Sequence, residues 1–146
     1  MKSIQVKNFR SFQDSGKIEF NNVNLFLGKN SSGKSSILRL FPLFKQSILH
    51  ELRGPFMWYD ETYDFGSFSN VLSRHPSGDG KLKFLIELEL PKNNCPDTGC
   101  EECFIYEEKN IPFLKDSMSC LLEMVVDGDS KGTFLQELTF HLDNHV

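Results

Sequence analysis

The amino-acid sequence predicts an α/β lobe of the α+β kind, with a mixed or antiparallel β-sheet arranged around one long helix. Apolar residues near the start of the chain alternate as they do in strands. A glycine-rich loop then leads into apolar residues spaced three and four apart, as in an amphipathic helix. Strand patterns return from residue 82 onward, so the predicted order is strands, one helix, then antiparallel strands.

The composition is that of an ordinary globular domain. The 146 residues are 39% hydrophobic and 25% charged, with a formal net charge of -4. The apolar runs are far shorter than the ~20 residues that a membrane helix needs, and the first residues do not form a signal peptide. We therefore expect a cytoplasmic protein with no membrane partner. The mildly acidic total argues against a protein that coats nucleic acids generally.

The first fifty residues are predicted to contain strands, a loop and the helix. Apolar residues alternate from Ile4 and return at Ile18 after a turn, which indicates two short strands. Residues 23–27 read Val-Asn-Leu-Phe-Leu, a nearly continuous apolar run typical of a strand covered on both faces. Residues 35–50 carry the helical pattern. Within it, Pro42 predicts a kink or an early end because its ring removes one helical hydrogen bond.

We expect a single lobe over residues 1–146, since no domain boundary is visible in the sequence. Its parts are the strands, loop and helix of residues 1–50, an irregular segment held by aromatic side chains at 51–81, and antiparallel strands at 82–146. A short helix is predicted near Phe68. The predicted strands of the last part are 82–90, 103–107, 119–127 and 133–142.

The sequence from Gly28 to Ser35 matches the pattern G-x-x-x-x-G-K-[ST] at every fixed position. Its two glycines allow the backbone to turn N–H groups toward a phosphate, where a Cβ atom would be too close. The helix that follows directs further free N–H groups at the same anion. A glycine-rich turn without a ligand is the alternative, but the apolar run before the loop and the helix after it favour nucleotide binding.

Each polar residue of the loop has an expected role in binding ATP and magnesium. Lys34 should reach the β and γ phosphates, the Ser35 hydroxyl should ligate Mg²⁺, and Ser36 should lie near the α phosphate. Asn30, at the tip of the loop, is expected to approach the γ phosphate. The other loop residues expected to bind the nucleotide are Gly28, Ser31, Ser32 and Gly33.

Four cysteines raise the question of a structural zinc site. Cys95, Cys100 and Cys103 lie close together, and Cys120 follows seventeen residues later. Four thiolates can hold zinc, yet Cys120 is a single ligand inside a predicted strand. Reduced thiols in a hairpin loop are therefore the favoured interpretation, since cytosolic conditions disfavour disulfides.

The start of the chain resembles the amino terminus of ABC-type ATPase heads of SMC, RecF and OLD-like proteins, often labelled AAA family ATPases in bacteria. The residues that carry this resemblance are Ile4-Gln5-Val6-Lys7-Asn8-Phe9-Arg10-Ser11-Phe12, Ile18-Glu19-Phe20 and Asn24 to Leu38. A bacterial subgroup, several of whose members serve in anti-phage defence or alongside nucleases, is similar at further positions. These are Lys45-Gln46-Ser47, Arg53-Gly54-Pro55 and Asp64-Phe65-Gly66-Ser67-Phe68.

The resemblance implies the N-terminal lobe of a P-loop NTPase. Such heads bind ATP as head-to-head dimers in which a signature loop of the opposite head completes each site. By resemblance, Arg10 touches the nucleotide, although a surface arginine in a turn is equally compatible with the sequence. Chains of this family usually run to several hundred residues. We therefore expect an N-terminal fragment, a truncated product or one part of a split ATPase.

The family's catalytic groups are not evident in the sequence. No Leu-Ser-Gly-Gly signature is present, and Asp127 approximates the acidic magnesium anchor poorly because Gly128 stands where a catalytic glutamate often follows. Gln46 and Gln136 are candidates for a metal-contacting glutamine, but an ordinary helix or strand-surface position is favoured for both. We expect little or no ATP hydrolysis from this chain alone.

The leading hypothesis is a Mg·ATP-binding lobe whose nucleotide controls head dimerisation and thereby DNA or a nuclease effector. The partner is either the missing C-terminal ATPase lobe or a second head. One alternative is a nucleotide-sensing or decoy module without its own hydrolysis. Another is a self-sufficient P-loop kinase or GTPase, which would need a guanine-reading Asn-Lys-x-Asp or a substrate lid that the sequence does not provide.

Overall fold

The computed structural model describes residues 1–49, 54–60, 63–90, 118–129 and 132–143. The elements among these residues are β1 (Ser3–Phe9), β2 (Phe12–Asp14), β3 (Ile18–Glu19), α1 (Lys34–Leu38), α2 (Leu40–Leu49), α3 (Phe68–Val71), β4 (Leu82–Leu90), β5 (Met118–Asp129) and β6 (Gly132–Asp143). The order agrees with the prediction of strands, a helical region and then antiparallel strands.

All described strands belong to one antiparallel sheet, in the order β2-β1-β4-β5-β6, with β3 also paired to β1. In the centre of the sheet, Ile4 lies opposite Ile86 and Val6 lies opposite Phe84. Strands β4, β5 and β6 lie within two residues of three of the predicted strands. The predicted strand at 103–107 lies outside the described residues.

The core lies on one face of this sheet, under the helices and several aromatic side chains. The ring of Phe84 is 5.7 Å from the ring of Phe44 and 5.1 Å from the ring of Phe56, measured between centroids. Leu40 and Leu43 of α2 are buried against the same cluster. Burial of this many large apolar side chains is the main favourable contribution to folding.

The helical region consists of two helices rather than the one long helix that the spacing predicts. Helix α1 ends at Leu38 and α2 begins at Leu40, so the break falls at Arg39, three residues before Pro42. The ring of a proline crowds the carbonyl four residues earlier, which here is that of Leu38. Pro42 therefore lies in the first turn of α2, where its missing N–H is tolerated.

The strand predicted at residues 23–27 is not formed among the described residues. Val23, Leu25 and Leu27 are 88%, 80% and 81% exposed, while the intervening Phe26 packs against the core. No backbone–backbone hydrogen bond joins this segment to another described residue. The prediction of a strand covered on both faces is therefore wrong for this structure, because no described strand is hydrogen-bonded to the segment.

The aromatic segment contains more order than the sequence indicates. The Phe65 N–H donates to the Trp58 carbonyl at 2.7 Å, and the Asp60 N–H donates to the Tyr63 carbonyl at 3.1 Å. These bonds form a short hairpin between Trp58 and Phe65, which we name the aromatic hairpin. The buried Gln46 amide donates to the carbonyls of Met57 and Tyr63, and thus ties this hairpin to α2. The short helix predicted near Phe68 is α3.

Asn8, at the end of β1, holds the loop before β4. Its side-chain amide donates to the carbonyls of Ser77 (3.0 Å) and Lys81 (2.8 Å), and its side-chain oxygen accepts the Ser77 N–H at 2.7 Å. The side chain is 2% exposed, and the backbone φ of 58° is one that asparagine tolerates better than most residues. Asn8 is thus a structural anchor that the sequence pattern does not identify.

We expect Asn8→Ala to lower the free energy of unfolding by about 1–3 kcal/mol, because the carbonyls of Ser77 and Lys81 and the N–H of Ser77 lose the side chain that binds them. Urea denaturation followed by circular dichroism measures the change. Asn22→Ala is the matched control, since Asn22 is exposed and its side chain has no hydrogen bond to a described residue. Equal stability of the two variants would contradict the anchoring role.

Candidate nucleotide-binding site

The glycine-rich loop reaches α1 through a tight contact with the second strand. Gly33 is the N-cap of α1 and has a φ of 94°, in the region that favours glycine. A Cβ atom at Gly33 would lie 2.4 Å from Phe12 Cζ and 2.7 Å from Ser11 Oγ. The loop therefore lies directly against the β1–β2 turn, and only glycine fits at this position.

Several backbone N–H groups of the loop remain available to a ligand. The Ser32 N–H donates to the Lys29 carbonyl at 3.3 Å, and the Ser36 N–H donates to the Gly33 carbonyl at 2.9 Å. The N–H groups of Gly33, Lys34 and Ser35 have no acceptor among the described residues. Free N–H groups at this turn are the donors that an anion requires.

Lys34 is folded over its own loop. Its Nζ donates to the carbonyls of Gly28 at 2.8 Å and Lys29 at 2.6 Å. Both acceptors are neutral, and an ammonium makes stronger hydrogen bonds to an anionic oxygen. The side chain is thus already at the loop, within reach of an anion that binds to the free N–H groups.

A cavity of about 1160 Å³ opens beside the loop. Its walls are the β1–β2 turn, the loop with the start of α1, and the segment from α3 to His75. The lining contains three cationic side chains, Arg10, Lys34 and Arg74, and one carboxylate, Asp14. The Gln5 amide, followed by the Gly16 N–H, holds the pKa of Asp14 below its usual value, so that carboxylate is engaged elsewhere. The charge of the cavity suits a polyphosphate.

Arg10 is held in place by its backbone and by a ring. Its N–H donates to the Val71 carbonyl at 2.7 Å, and its Cζ lies 5.5 Å from the centroid of the Phe65 ring. The buried Nε has no hydrogen-bond partner among the described residues. Burial, and then the charge of Arg39, lowers the pKa of Arg10 from its ordinary value. The Arg10 guanidinium thus has a donor that an anion could accept from.

The structure brings most of the predicted loop residues to one place. Asn30, Ser31, Gly33, Lys34, Ser35 and Ser36 line the cavity together with Arg10. Gly28 and Ser32 lie behind them, where a Cβ at Gly28 would be 2.9 Å from Ser32 Oγ.

The candidates for catalytic groups are not brought to the cavity. The Asp127 carboxylate accepts the N–H of Gly128 within β5. Gln46 is buried against the aromatic hairpin, where its Oε1 has no partner among the described residues. Gln136 lies in β6, where the pairing with β5 shifts register. None of the three lines the cavity, and their roles stay predictions.

The zinc hypothesis rests on residues that the structure describes only in part. Cys120 is buried in β5, opposite Leu88 and Leu142 in the neighbouring strands. Cys95, Cys100 and Cys103 lie outside the described residues, and no group of three metal-binding side chains occurs within the described ones. The possibility of zinc stays a prediction.

Sequence reasoning missed two parts of the cavity. The contact of Ser11 and Phe12 with Gly33 joins residues more than twenty positions apart, and the Asn-Phe-Arg-Ser-Phe opening was the available signal. The wall from Ser69 to His75 carries no recognisable motif. Among the described residues, no helix has the length and apolar character needed to cross a membrane.

The loop, the free N–H groups and the cationic cavity have the arrangement of a P-loop NTPase lobe. Residues 1–121 match the AAA ATPase domain family, and the chain belongs to that family.

One curated relative is the DNA double-strand break repair Rad50 ATPase of Archaeoglobus fulgidus, which is 59% identical over 39 residues. That stretch covers 26% of this chain and 4% of the relative. Together with the family match, it identifies the chain as an N-terminal region of an SMC/RecF-like AAA ATPase, which confirms the resemblance drawn from the sequence. No solved structure matches the chain.

The contact between Gly33 and Phe12 predicts a specific cost for Gly33→Ala. The new methyl group meets the ring, and the positive φ adds backbone strain of about 1–2 kcal/mol. We expect Gly33→Ala to lower the midpoint of urea denaturation and to weaken nucleotide binding.

Gly78→Ala is the control, because Gly78 also has a positive φ (62°) but no atom within 4 Å of the new Cβ. The Gly78→Ala variant therefore measures the cost of the positive φ alone, without the collision of a methyl group with Phe12. If Gly33→Ala were no more harmful than Gly78→Ala, the close packing of loop and ring would be contradicted.

Proposed function

We propose that this chain binds Mg·ATP in the cavity beside the loop. The observation that carries the proposal is that Lys34, Arg10 and the free N–H groups of the loop border one cavity. A nucleoside triphosphate places its phosphates where N–H donors and cations converge, and the rest of the cavity is large enough for its sugar and base.

In this proposal, Lys34 exchanges its two carbonyl acceptors for oxygens of the β and γ phosphates. The exchange favours binding because the new hydrogen bonds join opposite charges. The N–H groups of Gly33, Lys34 and Ser35 gain the acceptor that they lack among the described residues. Arg10 contacts the phosphates from the opposite wall, and Asn30 lies at the open end of the loop.

The side-chain ligand of magnesium would be the hydroxyl oxygen of Ser35. It is exposed, lines the cavity and has no hydrogen-bond partner among the described residues, so it fits an oxygen-seeking cation. When bound there, magnesium would neutralise part of the charge of the phosphates.

We further propose that the lobe works with a second polypeptide segment. Val23, Leu25 and Leu27 present three exposed apolar side chains on a segment that has no backbone–backbone hydrogen bond to another described residue and runs directly into Gly28. A strand that pairs with this segment would cover the three side chains and supply hydrogen-bond partners for its backbone N–H and C=O groups. The rest of a longer ATPase or a second head would supply that strand and the catalytic groups, so that ATP controls their assembly.

The name of the Rad50 relative, a DNA double-strand break repair ATPase, supports a DNA-linked effector for the assembled protein. A nuclease or anti-phage effector is the more specific form of this proposal and is based on the resemblance of residues 45–68 to the bacterial subgroup.

Lys34→Ala should weaken the binding of a fluorescent ATP analogue in Mg²⁺ by about 10- to 150-fold, since a hydrogen bond to a charged group contributes about 1.5–3 kcal/mol. Titration by fluorescence anisotropy measures the change. Lys29→Ala is the control, because it removes a lysine of the same loop that does not line the cavity. Equal affinities of the two variants would remove the nucleotide assignment.

The chain alone should hydrolyse ATP far more slowly than ~1 s⁻¹, the low end of the usual range for enzymes. The reason is that the described residues place no acidic magnesium anchor in the cavity besides Asp14, which is already hydrogen-bonded to Gln5 and Gly16. A steady-state assay of phosphate release tests this. Turnover near 1 s⁻¹ would show that the chain is catalytically complete.

A further inference from the structure

Two arginines of the described structure stack on two neighbouring rings. The Cζ of Arg10 lies 5.5 Å from the centroid of the Phe65 ring, and the Cζ of Arg39 lies 5.7 Å from that of Tyr63. The two rings are themselves 5.8 Å apart. Each ring of this aromatic pair therefore carries one cation, and we name Arg10, Phe65, Tyr63 and Arg39 the arginine–aromatic stack.

The stack lacks a negative partner among the described residues. Neither guanidinium makes an ion pair or a hydrogen bond within this part of the chain. The carboxylate of Asp64, beside the rings in sequence, accepts the N–H of Gly66 instead. Two nearby cations repel each other, and the repulsion is relieved when an anion binds near them.

Both arginines of the stack are connected to the phosphate site. Arg10 lines the same cavity as Lys34. Arg39 is the C-cap of α1, the helix that begins at Lys34, and its N–H donates to the Ser35 carbonyl at 3.0 Å. The distance of Arg39 from the loop is thus set by a short helix, while the rings set its position relative to Arg10.

We propose that Arg39 is a positioning residue for the phosphate site and adds a second positive charge near Arg10. The inference rests on the proposed binding of ATP and concerns a residue outside the cavity lining. Arg10 contacts the phosphates, and Arg39 acts through the rings and through its charge. Since attraction grows with the charge of the ligand, Arg39 favours a triphosphate over a diphosphate.

Three variants separate charge from packing. Arg39→Met keeps a long apolar side chain against Tyr63 but loses the charge, and Arg39→Lys keeps the charge with a weaker stack. Lys45→Ala is the control for loss of a positive charge, because Lys45 is an exposed residue of α2 without an ion pair to a described residue.

Isothermal titration calorimetry with inorganic tripolyphosphate and with Mg·ATP, at several salt concentrations, measures the effect. We expect Arg39→Met to weaken both ligands by roughly 3- to 10-fold and to make the affinity less dependent on salt, because one cation no longer attracts the anion. Arg39→Lys and Lys45→Ala should stay within about twofold of the unmodified chain. A further titration with Mg·ADP under the same conditions should show that the ratio of ATP to ADP affinity falls only in Arg39→Met.

Two results would overturn the inference while leaving ATP binding intact. The first is that Arg39→Met binds as tightly as Lys45→Ala. The second is that Arg39→Met and Arg39→Lys lose the same affinity with an unchanged salt dependence, which would assign Arg39 a packing role only. If instead the unmodified chain bound neither tripolyphosphate nor ATP, the proposed function itself would fail.

Discussion

The packing of Phe12 on Gly33 is the constraint on which the rest of the site depends. The ring occupies the space where any other residue would place its Cβ, so the β1–β2 turn and the phosphate loop meet without a gap. Phe12 belongs to β2 and Arg10 to the turn before it, which places the guanidinium of Arg10 on the wall facing the loop. Strand β1 and the turn after it thereby orient a cation toward the place where phosphates would bind.

Long-range backbone bonds complete this arrangement. The Arg10 N–H reaches the Val71 carbonyl, and the Ser73 N–H reaches the Asn8 carbonyl, so the segment after α3 is held against the end of β1. The third wall of the cavity is consequently built by pairing with β1. A local disturbance at Asn8 or Arg10 would therefore reach two walls at once.

The sequence predicted the parts of the fold that depend on neighbours in the chain. The loop is a contiguous motif, the strands β4 to β6 alternate over many residues, and Pro42 marks the interrupted helix. The position of the break between the two helices, at Arg39, follows only when one considers that the ring of Pro42 crowds the carbonyl four residues earlier.

The contacts between distant residues could not be derived in this way. The wall from Ser69 to His75 depends on bonds to β1, and the burial of Gln46 depends on carbonyls of the aromatic hairpin. Residues 23–27 have the composition of a strand covered on both faces. The sequence alone does not say whether this chain supplies a neighbouring strand to pair with them. The strand prediction failed there because no described strand is hydrogen-bonded to this segment.

Trp58 is the single tryptophan of the chain, and its indole N–H donates to the Thr133 hydroxyl at 2.9 Å while its ring contacts Phe56 and Phe68. The indole therefore bridges the aromatic hairpin and the start of β6. Its ultraviolet emission comes from one site only, and that site joins the aromatic hairpin to β6. The molecule thus carries an intrinsic optical probe of whether these two elements stay together, with no dye required.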